Sequence, residues 1–209
     1  MTSAVVAMTE THDDPGDRVA DGAAETPRDR VHASLGMALF VGSWSMAFGT
    51  LFLSYFILRH KQGEWPPSGV VLPSFGMALL ATGLLLASSL VLRGAGARLS
   101  AGRAGVAARW NAALLLGLAF AGLQTWLWIG LAAAGRLPES GVYESVFYAL
   151  TWFHGAHVAC GLIGLGWVSL GLATGRYHTG RTIVPGNVAV FWHFVDVVWV
   201  VLFTTFFLF

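Results

Sequence analysis

The side chains of this sequence best suited to move protons or hold a metal are gathered in two short stretches near its end. His154 and His157 stand three apart in TWFHGAHVACG, and His193 and Asp196 stand three apart in FWHFVDVVW. On a helix that spacing places each pair on one face. Both stretches are otherwise apolar, and an ionisable group inside an apolar span is costly enough to mark a functional or structural site. Gln124, in a third apolar run, adds an amide that must find partners, by default across a helix interface. Several chemistries fit the cluster. Bis-histidine haem ligation needs imidazoles on opposite sides of a porphyrin, so His193 would have to face His154 or His157 across space. Histidines with a carboxylate suit a divalent cation such as zinc, which takes three or four ligands. The same groups could relay protons or ions. They could also satisfy one another and nearby backbone groups in a buried network that fixes helix packing, which is the simplest of the four.

The elements that position these residues follow from composition. The chain is 56% hydrophobic and 11% charged, with mean hydropathy +0.66, against about 25% charged in a soluble domain. Five apolar segments cover residues 34–58, 72–92, 110–134, 145–173 and 187–209. Each reaches the roughly 20 residues needed to cross about 30 Å of hydrocarbon, and backbone satisfaction in lipid then demands helix. The fold expected is an all-α, polytopic membrane protein with a domain over 32–209. The last two spans run antiparallel through a short loop. His154 and His157 then lie about 14 to 18 Å from the outer start of their helix, and His193 and Asp196 about 9 to 14 Å from the cytoplasmic start of theirs. The two pairs could meet at similar depth.

Residues 1–31 hold seven of the eleven acids (Glu10, Asp13, Asp14, Asp17, Asp21, Glu25 and Asp29) and few large apolar side chains. Such a segment cannot bury enough surface to offset its ordering entropy, so a disordered acidic tail is expected. It lacks the basic start of a secretory signal, and the long run after it reads as a retained span. Lys and Arg gather on the cytoplasmic side of spans. The tail, second loop and fourth loop carry Arg18, Arg28, Arg30, Arg93, Arg98, Arg103, Arg109, Arg176 and Arg181, whereas the other side has Arg59, Lys61 and Arg136. That bias puts the N-terminus in the cytoplasm and Phe209 at the outer face. Cys160, the single cysteine, reads as a small buried filler. Thr151 and the pairs Ser43 with Ser45 and Ser88 with Ser89 are expected to bond back to their own helices. Glu139 and Glu144 should be solvated in an outer loop. Tryptophans near span ends suit the interface, and deeper ones are packing groups. Glycines such as Gly76, Gly83, Gly117, Gly122, Gly161, Gly164 and Gly166 allow close helix approach. No phosphate loop or dinucleotide fingerprint occurs, and no nucleic-acid partner is expected.

The two histidine stretches resemble a known family. TWFHGAHVACG is similar to the H-G-x-H-V signature of haem-copper (cytochrome c) oxidase subunit III, and FWHFVDVVW to its W-H-F-V-D-x-V-W signature. The first span, LGMALFVGSWSMAFGTLFLSYFILR, resembles the family's opening, and the Trp65-Pro66-Pro67 loop, Ser88, Ser89 and Gln124 fall where the family has comparable residues. The resemblance covers about residues 34–209 and fits the short five-helix bacterial form, in a divergent version. It implies a bundle split two and three by a lipid-filled V-shaped cleft, in the bacterial plasma membrane. It also implies a non-catalytic accessory subunit within a proton-pumping oxidoreductase complex. Haem and copper belong to partner subunits and none to this chain. Subunit I is the main contact, with subunits II and IV and phospholipids as further partners. The implied roles are steadying subunit I, holding lipid and supporting proton uptake. His154, His157, His193, Asp196 and Gln124 take positions in a buried polar network, not in a catalytic site.

This chain departs from the family pattern at three points. Trp44 and Leu127 stand where the family carries intramembrane glutamates, and Trp152 stands where it has glycine, filling space left open there. Roles that need those carboxylates lose their residues, while the scaffold role keeps its own. Two alternatives remain: a subunit-III-like component of a related assembly such as nitric oxide reductase, and a small proton or ion translocator built on His154, His157, His193 and Asp196.

Overall fold

The computed structural model describes residues 25–67 and 74–208. Five long helices follow one another: α1 (Pro27–Lys61), α2 (Phe75–Ser100), α3 (Val106–Ala133), α4 (Val142–Ala173) and α5 (Ile183–Phe207), with one 3-10 turn (Pro138–Ser140) before α4. All five are long and apolar enough to cross a membrane. The expected all-α multi-pass fold is therefore observed among the described residues. The disorder expected for the acidic tail falls, over residues 1–24, outside the described residues.

Local chemistry sets the ends. Pro27 occupies the first turn of α1, and Thr26 forms a capping box with Asp29: Asp29 N donates to Thr26 Oγ1 at 3.2 Å, and Thr26 N to Asp29 Oδ2 at 2.9 Å. The helix thus starts ahead of the expected residue 34. Glu25, assigned to the tail on composition, is ordered. Its backbone N–H donates to the Gly180 carbonyl, and its carboxylate accepts from Ile183 N at 2.7 Å and Thr182 Oγ1 at 3.3 Å. An acid at the N-terminus of α5 meets orphan N–H groups and the positive end of the helix dipole. Between α2 and α3 the chain reverses in a few residues, with Gly102 and Gly105 at φ +63° and +84°, conformations that a side chain disfavours.

The helices do not divide two and three. Each of α2, α3, α4 and α5 packs on the next, and α5 returns to α2, so four helices close a ring. α1 leans on the outside of α5 and touches α4, and it does not approach α2. The reason is the surface α1 presents. Only Phe48 and Tyr55 are buried on it. Phe40, Trp44, Phe48 and Tyr55 recur at helical spacing and form a narrow aromatic seam, against Phe191 and Phe194 of α5, His157 of α4, and Phe206 of α5. Tyr55 Oη also donates to the Thr205 carbonyl at 3.4 Å. Between its charged ends, the other faces of α1 carry outward apolar side chains such as Leu39 and Met46.

Candidate functional site

The centre of the ring is Trp192 of α5, which is fully buried. Glycines make room for it on two neighbours. A Cβ added at Gly117 of α3 would sit 2.7 Å from its ring, and one at Gly161 of α4 would sit 2.6 Å away. The fourth helix of the ring supplies a polar anchor: Trp192 Nε1 donates to Ser88 Oγ of α2 at 3.1 Å, and Ser88 Oγ donates to the Ala113 carbonyl of α3 at 2.7 Å. One indole thereby ties all four ring helices. Two more tryptophans repeat the device, Trp199 Nε1 donating to Thr82 Oγ1 at 3.0 Å and Trp110 Nε1 to the Leu165 carbonyl at 2.9 Å. In lipid these bonds matter because no water competes for the buried donors.

These ties were missed from sequence. Ser88 and Ser89 do not bond back to their own helix but reach across it, Ser89 Oγ lying 3.0 Å from His193 Nδ1. The deeper tryptophans are interhelical donors as well as packing groups. The signal was available: a tryptophan set against glycines in neighbouring spans, with a serine pair on a third. Ser43, Ser45 and Thr151 behave as expected, each donating to a carbonyl of its own helix. Cys160 is exposed, because it lies on the outward side of α4. Glu144 is buried against Arg136 at 3.3 Å, since it enters the first turn of α4 where the chain folds back.

The structure brings the two polar pairs to different neighbours. His157 bonds the Phe153 carbonyl of its own helix through Nδ1 at 2.7 Å and faces Trp44, ring centres 4.4 Å apart. At position 44 His157 thus meets an indole in a T-shaped contact and not a carboxylate. His154 is 1% exposed and stacks on Trp199 at 5.5 Å, with neither ring nitrogen hydrogen-bonded. His193 holds Ser89, and Asp196 lies within reach of Ser89 and His193. Among the described residues no ion pair joins His193 to Asp196, and Asp196 Oδ1 has no hydrogen-bond partner. The four residues therefore do not form one mutually bonded network. No group of three or more His, Cys, Asp or Glu side chains among the described residues is placed to hold a metal ion.

The interhelical bond expected of the Gln124 amide is not seen at its Oε1, which is buried without a partner among the described residues. It lines a small void together with Leu127 and Thr151. A Glu at 127 would have placed an acid beside this amide; Leu127 offers it none. On its other side Gln124 borders a cavity of about 160 Å³ between α3 and α4, shared with His154 and Trp128. Trp152 does not fill the interior: it is 51% exposed and packs on Tyr148 at 5.1 Å, because it projects from the outer side of α4.

Comparison with known proteins bears on this architecture. The family model for cytochrome c oxidase subunit III matches residues 20–209. The chain is 32% identical over 200 residues to cytochrome c oxidase subunit 3 of Thermostichus vulcanus, covering 94% of this chain and 96% of the relative. It is 31% identical over 200 residues to the probable cytochrome c oxidase subunit 3 of Nocardia farcinica, covering 95% and 98%. Over 173 residues it is 33% identical to the probable subunit 3 of Mycobacterium tuberculosis, covering 82% and 85%.

Proposed function

The chain belongs to the cytochrome c oxidase subunit III family, and from that premise we propose that it packs beside the haem-bearing subunit I of a bacterial oxidase and steadies it, without a redox centre of its own. It is an accessory subunit of a haem-copper oxidase and a multi-pass membrane protein. The observation that carries the scaffold role is the ring clamped on Trp192. At its centre the Trp192 indole and the Ser88 hydroxyl hold helices together, and its outward faces carry exposed apolar side chains such as Leu90, Leu115, Ile163 and Leu170. Such a surface suits lipid and partner helices. Subunits II and IV and bound phospholipid complete the environment in this reading. The excess of Lys and Arg on one side supports a cytoplasmic N-terminus and an outer C-terminus in the bacterial plasma membrane.

Support for proton uptake at subunit I is part of the proposal, but not through carboxylates at 44 and 127, where this chain has Trp44 and Leu127. A tagged copy of the chain, solubilised mildly from its own membranes, should bring down a large subunit with a haem Soret band. Recovery of stable chain alone, with no haem-bearing partner, would overturn the reading.

A further inference from the structure

The cavity between α3 and α4 holds about 160 Å³ and is bordered by Phe120, Ala121, Gln124, Trp128, His154 and Ala159. Three of these carry buried polar atoms that nothing among the described residues satisfies: Gln124 Oε1, Trp128 Nε1 and both ring nitrogens of His154. Gln124 is 7% exposed and His154 1%. An unsatisfied buried donor or acceptor costs about 1 to 3 kcal/mol, so several around one space call for a shared partner. Together they offer an acceptor, a donor, and an imidazole able to act as either.

The lining selects the partner's chemistry. No Lys, Arg, Asp or Glu borders the cavity, so a charged group has no counter-charge there. The cavity opens sideways between the two helices, where its lining residues Thr125 and Ala159 are exposed. Its volume admits a few waters at roughly 30 Å³ each, or one small ring, since a cavity near 150 Å³ takes benzene. Phe120 and Trp128 offer such a ring apolar walls. We propose that the α3–α4 cavity binds a compact neutral hydroxyl group, supplied by ordered water or by the ring head of a lipid-phase molecule of the phenol class. The hydroxyl oxygen accepts from Trp128 Nε1, and its O–H donates to Gln124 Oε1 or to an unprotonated ring nitrogen of His154.

The test uses the chain in its own assembly, with nitrogen-15 in His and Trp, reconstituted in phosphatidylcholine vesicles. Solid-state NMR follows the ring nitrogens of His154 and the indole N–H of Trp128, first in water alone and then with 4-ethylphenol partitioned into the membrane. Magnetisation passing from water protons to both side chains identifies water as the source. A saturable change that appears only with 4-ethylphenol identifies a lipid-phase source. Either result supports the site, and Ala159→Leu, which fills the cavity from its rim, should abolish the response. The proposal is overturned if wild type shows neither response, if the bond partner proves to be a side chain of a neighbouring subunit, or if the response survives in Ala159→Leu. The wild-type arms decide the matter even if the variant does not fold.

Discussion

Trp192 lies against Gly161 and Trp128 against Gly155, on the same helix, and the two indoles end in opposite conditions. Trp192 is clasped from a second side by Gly117, and its N–H is held by Ser88, which in turn holds the Ala113 carbonyl. Trp128 borders a cavity, and its N–H has no partner among the described residues. A glycine facing a tryptophan thus does not by itself make a rigid joint. The joint is rigid where a third helix supplies a hydroxyl for the indole and a fourth closes the far side of the ring. Where those are missing, the same pair of residues leaves room and unspent hydrogen-bonding capacity.

The sharpest way to break this contrast is to add one methyl at each glycine. At Gly161 the added Cβ would sit 2.6 Å from Trp192 Cε3, and the indole has nowhere to go because Gly117 and Ser88 fix it. Gly161→Ala should destabilise the folded chain by about 3 kcal/mol, the upper part of the range for overpacking. The check is the midpoint of thermal unfolding of the purified assembly. A midpoint equal to wild type would show that the ring is looser than its geometry. Next in size is Ser88→Ala, which leaves Trp192 Nε1 unpaired in a dry interior and takes from the Ala113 carbonyl the bond it accepts in addition to that of its own helix. We expect a loss of about 1 to 3 kcal/mol, with Ser88→Thr recovering part of it. An alanine variant as stable as wild type would mean that the bond contributes nothing.

The contrast also shows what could be read from residues and what could not. Five spans were legible because lipid imposes length and apolarity on every helix, a constraint carried by each segment alone. The position of α1 was not, since it depends on which helix receives the Phe40, Trp44, Phe48 and Tyr55 seam, a property of pairs of helices. The histidines and Asp196 stood out because charge in an apolar run is conspicuous, yet the centre of the ring proved to be Trp192. Tryptophan, glycine and serine are ordinary in spans, and only their meeting across α2, α3, α4 and α5 gives them a role. Glu25 was hidden for a related reason. Its composition belongs to an acidic tail, and its order comes from the N-terminus of α5, distant in sequence.

On the looser side of the comparison the same methyl should be tolerated. A Cβ at Gly155 would meet Trp128 Cη2 at 2.7 Å, nominally as close as at Gly161, but that atom is the far end of a side chain beside open space. The indole can yield into the cavity, and alanine gains up to about 1 kcal/mol over glycine in helix propensity. Gly155→Ala should therefore change stability by less than about 1 kcal/mol in either direction. A loss as large as that of Gly161→Ala, measured in the same unfolding experiment, would mean that Trp128 is held by something the chain itself does not supply.

The smallest effect is expected at the most conspicuous residue. His154 makes no hydrogen bond among the described residues, and its ring contacts are the stack on Trp199 at 5.5 Å and edges with Phe48 and Phe120 near 6.5 Å. Phenylalanine keeps a ring in that place and removes two buried nitrogens that no described residue bonds, of which the proposed cavity hydroxyl would reach at most one. Replacing an unsatisfied polar group by an apolar one of similar shape is close to neutral, so His154→Phe should shift stability by less than about 1 kcal/mol. His154→Ala, in contrast, opens a cavity beside Trp199 and should cost about 2 to 4 kcal/mol, as ring deletions in packed interiors do. The pair of variants separates shape from polarity. If phenylalanine were as damaging as alanine, the imidazole nitrogens would have to be bonded in the assembled protein by a group strong enough to rival the Ser88 anchor, and the division between a satisfied centre and an unsatisfied flank would fall.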